Sequence, residues 1–115
     1  MSTEFFGKTL SGPFTIPSGI VTTAVPIMQY IFNHMPEVGV VTTKSIGLEP
    51  REGYREPVLS QYAPGCFVNA VGLTNPGAHK SAEIMAELKV PGDRFLLTSI
   101  FGGSIAEFVE VAKIL

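Results

Sequence analysis

A lysine closing the otherwise apolar run Val38-Gly39-Val40-Val41-Thr42-Thr43-Lys44 is the first place in this chain where chemistry is legible. Its ammonium would stand at the mouth of any site beyond that run, where it can pair with a carboxylate or with an electron-rich heteroatom of a cofactor. Its aliphatic stem equally allows it to snorkel from a strand end into solvent, and position alone does not choose between the two. Ser45 follows directly. Two other places have the same character: Ser18-Gly19 after Phe14-Thr15-Ile16, and Ser99 through Gly103 after Phe95-Leu96-Leu97-Thr98. Taken singly, each glycine reads as a plain turn; taken functionally, it permits close backbone approach to a planar ligand. The stretch Asn69-Ala70-Val71-Gly72-Leu73-Thr74-Asn75 sets two carboxamides around a glycine. An amide offers donors and acceptors together, so Asn69 is suited to read a polar ring edge, whereas helix capping already accounts for Asn75.

Other chemistries find little support. His34 and His79 lie far apart with no partner at metal-ligand spacing, and both read as surface residues. Cys66, the single cysteine, sits among Pro64, Gly65 and Phe67 and reads as a structural thiol. Phe101-Gly102-Gly103-Ser104 is too short for a phosphate-binding loop. Eight basic and ten acidic side chains give a net charge of −2 without runs, which excludes the electrostatic footprint of a nucleic-acid binder or of a protein held on an anionic membrane.

The elements that would position these residues follow from pattern. Residues 5–12 suggest a short hairpin leading into the strand Phe14–Ile16, which Pro17-Ser18-Gly19 ends. A helix is predicted from Ala24 to Asn33, with Val25, Met28 and Phe32 on one face and Pro26 in its first turn. The β-branched run from Val38 to Thr43 lacks alternation, as does a strand buried on both faces of a parallel sheet. Ser45 to Leu73, rich in Gly, Pro and charge, is longer than an ordinary connection of about 2–6 residues and predicts an ordered insertion carrying a hairpin. Asn75-Pro76 predicts a helix start, with the apolar stripe Ala82, Ile84, Met85 and Leu88 and a stop at Pro91-Gly92. Phe95–Ile100 predicts a third buried strand. Ser104 and Glu107 have capping-box spacing before a helix whose apolar run is Ile105, Phe108, Val109 and Ala112.

Three successive strand–helix units make an α/β architecture. A (β/α)8 barrel takes roughly 250 residues, so these 115 read as the first three of eight units, with a long insertion after the second strand. The whole of 1–115 is then the N-terminal part of one incomplete domain. The right-handed crossover rule places Ser18-Gly19, Lys44-Ser45 and Ser99–Gly103 on one face of the sheet, beyond the carboxyl ends of the strands.

Composition sets the surroundings. A hydrophobic fraction of 45% and a mean hydropathy of +0.32 exclude a disordered tail, and only 16% charged residues suggests apolar surface that meets something outside this sequence. No Asp, Glu, Lys or Arg occurs from Thr9 to Pro36, yet Pro13, Pro17, Gly19 and Pro26 interrupt what would have to be about 20 apolar residues in a membrane span. Glu4 lies where a secretory leader would be positive. One cysteine and no Asn-x-Ser/Thr acceptor point to the cytoplasm.

Two longer motifs carry a resemblance. Thr43-Lys44-Ser45-Ile46-Gly47-Leu48-Glu49-Pro50-Arg51-Glu52-Gly53, followed by Asn69-Ala70-Val71-Gly72-Leu73-Thr74-Asn75-Pro76-Gly77, resembles the N-terminal third of class 1 dihydroorotate dehydrogenases. Pro17-Ser18-Gly19 and Ser99-Ile100-Phe101-Gly102 fit in order and spacing. The resemblance implies a TIM barrel holding FMN at the carboxyl ends of its strands. It implies oxidation of dihydroorotate to orotate in pyrimidine biosynthesis, with hydride passing to flavin N5.

Residue by residue, the resemblance implies that Ser18 and Gly19 lie against the flavin. It implies that Lys44 and Ser45 contact FMN, with Lys44 also reaching the substrate carboxylate. Asn69, Ala70, Val71, Gly72 and Leu73 would line the substrate pocket, with Asn69 bonded to the pyrimidine. Ser99 falls where many relatives carry an FMN-contacting Asn. The catalytic base, a cysteine on a later loop in class 1 members, is expected beyond Leu115 and is not Cys66. Where the family usually runs Asn-Pro-x-Pro-Arg, this chain has Tyr54-Arg55-Glu56-Pro57-Val58. That departure supports an alternative, a related flavin barrel acting on another dihydropyrimidine. A further alternative is a non-catalytic fragment of a split barrel. Expected partners are the small-molecule substrate and either a second copy or a complementary chain, such as an electron-transfer subunit.

Overall fold

The structure, a computed structural model, describes residues 3–115. Its centre is a three-stranded parallel sheet of β3 (Phe14–Ile16), β4 (Val38–Thr42) and β7 (Phe95–Leu97), in the order β3-β4-β7. Helix α1 (Val25–His34) joins β3 to β4, α2 (Ala78–Ala86) precedes β7, and α3 (Ile105–Ile114) follows it. Three strand–helix units therefore lie side by side in chain order, and the predicted α/β class holds. The strand β4 is buried along Val38–Val41, as an apolar run without alternation demands when both faces are covered.

One core cluster joins α1 to the sheet: Met28, Ile31 and Phe32 pack on Val38 and Val41, with Ile16, Leu88 and Leu96 at its margin. Helix α1 starts one residue later than predicted, at Val25, with Pro26 in the first turn, where a missing N–H costs nothing. Its C-terminus is held by Arg94, a buried residue whose Nη1 donates to the carbonyls of Ile31 (3.2 Å) and Met35 (3.1 Å). These carbonyls also accept the N–H groups of Met35 and Val38, so the cation adds a second donor to each and meets the negative end of the helix dipole. The second cluster buries Ile46, Ala78 and Val111, with Ile100, Met85 and Leu115 against it, and ties α2 to α3.

At the amino end of the sheet, β1 (Thr3–Phe5) and β2 (Lys8–Leu10) form the predicted hairpin. Phe5 meets Phe95 edge-on at 5.3 Å, and Lys8 Nζ stands 4.6 Å from the centroid of the same ring. A second antiparallel hairpin, β5 (Leu59–Ala63) and β6 (Cys66–Asn69), occupies the long segment between β4 and α2. Cys66 opens β6 and is exposed, so it packs in no core.

Three local expectations are corrected. Asn75-Pro76 does not open α2: the helix begins at Ala78, because Gly77 at φ +83 turns the chain first. Asn75 is instead buried and spends its side chain on other loops, as described below. The third strand is shorter and only half-buried, since β7 pairs with β4 alone and leaves its other edge bare. The apolar run of α3 faces outward: Ile105 is 85% exposed and Phe108 and Val109 are exposed too, while Val111 is the buried member. The capping at its start is present, with Ser104 Oγ accepting from the Glu107 N–H at 3.2 Å and Glu107 Oε2 accepting from the Gly103 N–H. Among the described residues, no helix is long and apolar enough to cross a membrane.

Candidate functional site

The carboxyl ends of β3, β4 and β7 meet through three hydroxyls. Ser18 Oγ lies 3.3 Å from Ser45 Oγ, which lies 2.8 Å from Ser99 Oγ. Each serine follows a different strand, so the parallel register alone brings residues 18, 45 and 99 together. The backbone fixes the rest: Thr43 N–H donates to Leu97 O (2.9 Å), Ile46 N–H to Ser99 O (2.9 Å), and Ser99 N–H to the buried Thr43 Oγ1 (3.1 Å). The chain after β3 is tied in as well, since Lys44 N–H donates to Thr22 O at 3.2 Å and Gly19 N–H to Thr22 Oγ1 at 3.3 Å.

Beside these hydroxyls opens a cleft of about 560 Å³, within the range of small-molecule sites. Ser18, Gly19 and Lys44 form one part of its wall, and Asn69, Ala70, Val71, Gly72 and Leu73 another. The ten residues that the resemblance assigned to cofactor or substrate thus converge here, eight in the cleft wall and Ser45 and Ser99 through the hydroxyl chain, while Asn75, Gly102 and Gly103 lie outside the wall. Asn69 ends β6, and Ala70 N–H donates to Val58 O (2.8 Å), so the hairpin delivers this wall to the strand ends. Gly72 and Leu73 both have left-handed backbone, at φ +83 and +56. For leucine that conformation is costly, and strain of this kind concentrates at binding sites. A side chain at Gly72 would bring Cβ within 2.8 Å of the Tyr54 nitrogen, so only glycine lets the two segments close.

Two wall residues, Ile20 and Arg51, were assigned no role from the sequence, whereas Tyr54 belongs to the Tyr54–Val58 departure noted there. Arg51 and Tyr54 come from an irregular segment with no periodicity to place them. The available signal was the glycine pair Gly53 and Gly72, since two glycines in one loop system mark a close backbone approach. Asn75 organises this junction: its Oδ1 accepts from the N–H groups of Gly47 (3.2 Å) and Gly77 (2.9 Å), and its Nδ2 donates to Leu73 O (2.8 Å).

The cleft is electropositive. Lys44 and Arg51 line it and no Asp or Glu does. Lys44 is half-buried, and the ion pair among the described residues is elsewhere, between Lys80 and Glu83 on the exposed face of α2. There the hydrogen bond and then the charge attraction raise the Lys80 pKa and lower that of Glu83. A smaller, apolar cavity of about 280 Å³ lies between α1 and α2, walled by Met28, Ile84 and Met85, and it shares Lys44 with the cleft. Thr43 and Asn75 also line it, but their oxygens are already spent on the N–H groups of Ser99, Gly47 and Gly77.

The residues suit one edge of a flat polar ring system. Hydroxyls from three strands and an ammonium supply donors, and space is open where a side chain of Gly19 would stand. They supply no cradle for a phosphate. The chain is 38% identical over 112 residues to the "Dihydroorotate dehydrogenase B (NAD(+)), catalytic subunit" of Archaeoglobus fulgidus, covering 96% of this chain and 35% of that protein. It is 38% identical over 113 residues to the protein of the same name from Thermococcus kodakarensis, covering 98% of this chain and 36% of that protein. The chain therefore spans about a third of the length of the curated relatives it matches. With the sequence model described as dihydroorotate dehydrogenase matching residues 1–115, the chain belongs to the dihydroorotate dehydrogenase family.

Proposed function

We propose that this chain supplies part of the active site of an FMN-dependent enzyme that oxidises dihydroorotate to orotate in cytoplasmic pyrimidine biosynthesis. The observation that carries the reading is the convergence of Ser18, Gly19, Lys44 and Asn69–Leu73 on one electropositive cleft at the carboxyl ends of parallel strands. The strand order β3-β4-β7 has no switch point, as in the wall of a closed barrel. Residues 1–115 are thus read as the N-terminal part of a single (β/α)8 domain, with the hairpin segment inserted after its second strand.

Ser18, Gly19, Lys44, Ser45 and Ser99 would hold the ring end of FMN. When bound, FMN supplies the two-electron acceptor for C–H oxidation. Lys44 orients the substrate carboxylate by a charge-assisted bond. The Asn69 carboxamide reads the ring edge, and the Ala70–Leu73 backbone closes the wall against water. The base that removes the substrate proton lies outside these residues. The relatives are named catalytic subunits acting with NAD(+), which supports a complementary electron-transfer subunit as partner.

Tyr54-Arg55-Glu56-Pro57-Val58 favours a second reading, a sister flavin barrel for another dihydropyrimidine, because Tyr54 lines the cleft. Anaerobic reduction of the purified holoenzyme separates the two. Rapid bleaching of flavin by dihydroorotate and none by dihydrouracil supports the first reading; the reverse order establishes the second.

A further inference from the structure

We propose that Arg51 is a specificity-determining residue of this cleft, a second cation that selects an anionic ring substrate over a neutral one of the same shape. The inference rests on the dihydroorotate reading above and adds to it a residue outside the set inferred from the sequence.

Arg51 lies seven positions after Lys44, on the segment leaving β4, and its backbone is fixed from both sides. Its N–H donates to Asn75 O at 2.9 Å, and its carbonyl accepts from Asn75 N–H at 3.0 Å. Asn75 is itself buried and locked by three side-chain hydrogen bonds. Three residues on, Tyr54 N–H donates to Val71 O at 3.1 Å, so 51–54 runs alongside the Asn69–Leu73 wall. The side chains of Arg51 and Tyr54 are thereby delivered into the cleft that Lys44 lines.

The guanidinium is oriented without being neutralised. Its central carbon stands 6.0 Å from the centroid of Phe101, an aromatic face that attracts a cation and leaves its charge intact. Phe101 is fixed in turn, with its N–H donating to Ile46 O at 3.0 Å and its ring against Gly47, where no side chain intervenes. Among the described residues no carboxylate pairs with Arg51. Two cations in a cleft without an acidic wall residue create a field that a negative ligand relieves and a neutral one does not. A planar fork matches a carboxylate in two-point geometry, whereas an ammonium acts as a point charge. The two side chains are thus complementary rather than redundant.

The test is equilibrium binding of orotate and of its neutral methyl ester to the holoenzyme, followed by the change in flavin absorbance. Arg51→Gln should raise the Kd for orotate on the order of tenfold to a hundredfold, as expected for losing one charge-assisted contact, and leave the ester nearly unchanged. Arg51→Lys should fall between, restoring charge without the fork. Equal weakening of both ligands, or no weakening of orotate, would overturn the role of Arg51. A wild-type protein that binds the ester and not orotate would instead overturn the dihydroorotate reading, and the inference with it.

Discussion

Lys44 is held by its backbone and left free at its head. The amide bond to Thr22 O and the flanking strand register fix where its side chain starts, while the ammonium faces the cleft with no acidic neighbour in the wall. Lys44→Ala should therefore weaken orotate binding by about tenfold to a hundredfold, and Lys44→Arg should rescue little, because the fork does not fit where a compact ammonium stands. Equilibrium binding to the holoenzyme measures both. Gly72 works through space rather than charge. Gly72→Ala forces a positive φ on alanine and presses Cβ toward the Tyr54 nitrogen, so it should cost about 1–3 kcal/mol of stability and detach 51–54 from the wall. Urea unfolding gives the first effect; loss of ligand affinity without loss of fold gives the second. Residues such as Ser18 and Lys44 were legible in the sequence because a strand end is easy to find and its next residue faces the site. The role of Arg51 was not, because its placement depends on hydrogen bonds between two irregular segments.

At the scale of elements, the sequence was informative wherever burial dictated pattern. The run Val38–Thr43 announced a strand covered on both faces, and Met28 and Phe32 announced the inner face of α1, because in both cases one partner surface lies within this chain. Helix α3 shows the converse. Its outline and its Ser104 cap were readable, yet Ile105, Phe108 and Val109 are exposed, since an apolar stripe reports that a surface is to be covered and not that its cover lies within these residues. The start of α2 was misplaced because Asn75 satisfies capping statistics while its side chain serves Gly47 and Leu73 instead. Arg94, which no pattern in the sequence marks out, ties the end of α1 to the start of β7. Arg94→Ala would remove a charged donor from the Ile31 and Met35 carbonyls, which keep the N–H groups of Met35 and Val38, and should destabilise the fold by about 1–2 kcal/mol, with an unchanged denaturant slope. A shift in the urea midpoint at constant slope is the check.

As a whole molecule, residues 3–115 form a flattened body rather than a ball. The radius of gyration is 15.9 Å, against about 13 Å for a compact domain of this length, and the extents are 41 × 40 × 25 Å. The outer edges of β3 and β7 are unpaired in the central sheet, and α3 presents apolar side chains outward. Residues 1–115 expressed alone should therefore self-associate and should not retain FMN through gel filtration, as bare strand edges and uncovered apolar surface predict. Light scattering that stays monomeric across a wide concentration range, or flavin absorbance that travels with the chain, would contradict this. On the function proposed above, dihydroorotate is oxidised in the cleft at these strand ends and Lys44 works in it. The most direct test is stopped-flow reduction of the holoenzyme flavin by dihydroorotate, in wild type and Lys44→Ala. Bleaching should be rapid in the wild type and at least tenfold slower in the variant, even at saturating substrate, because a positive charge beside the reacting ring has been removed. Equal rates in the two proteins would take Lys44 out of the site and contradict its role in the oxidation.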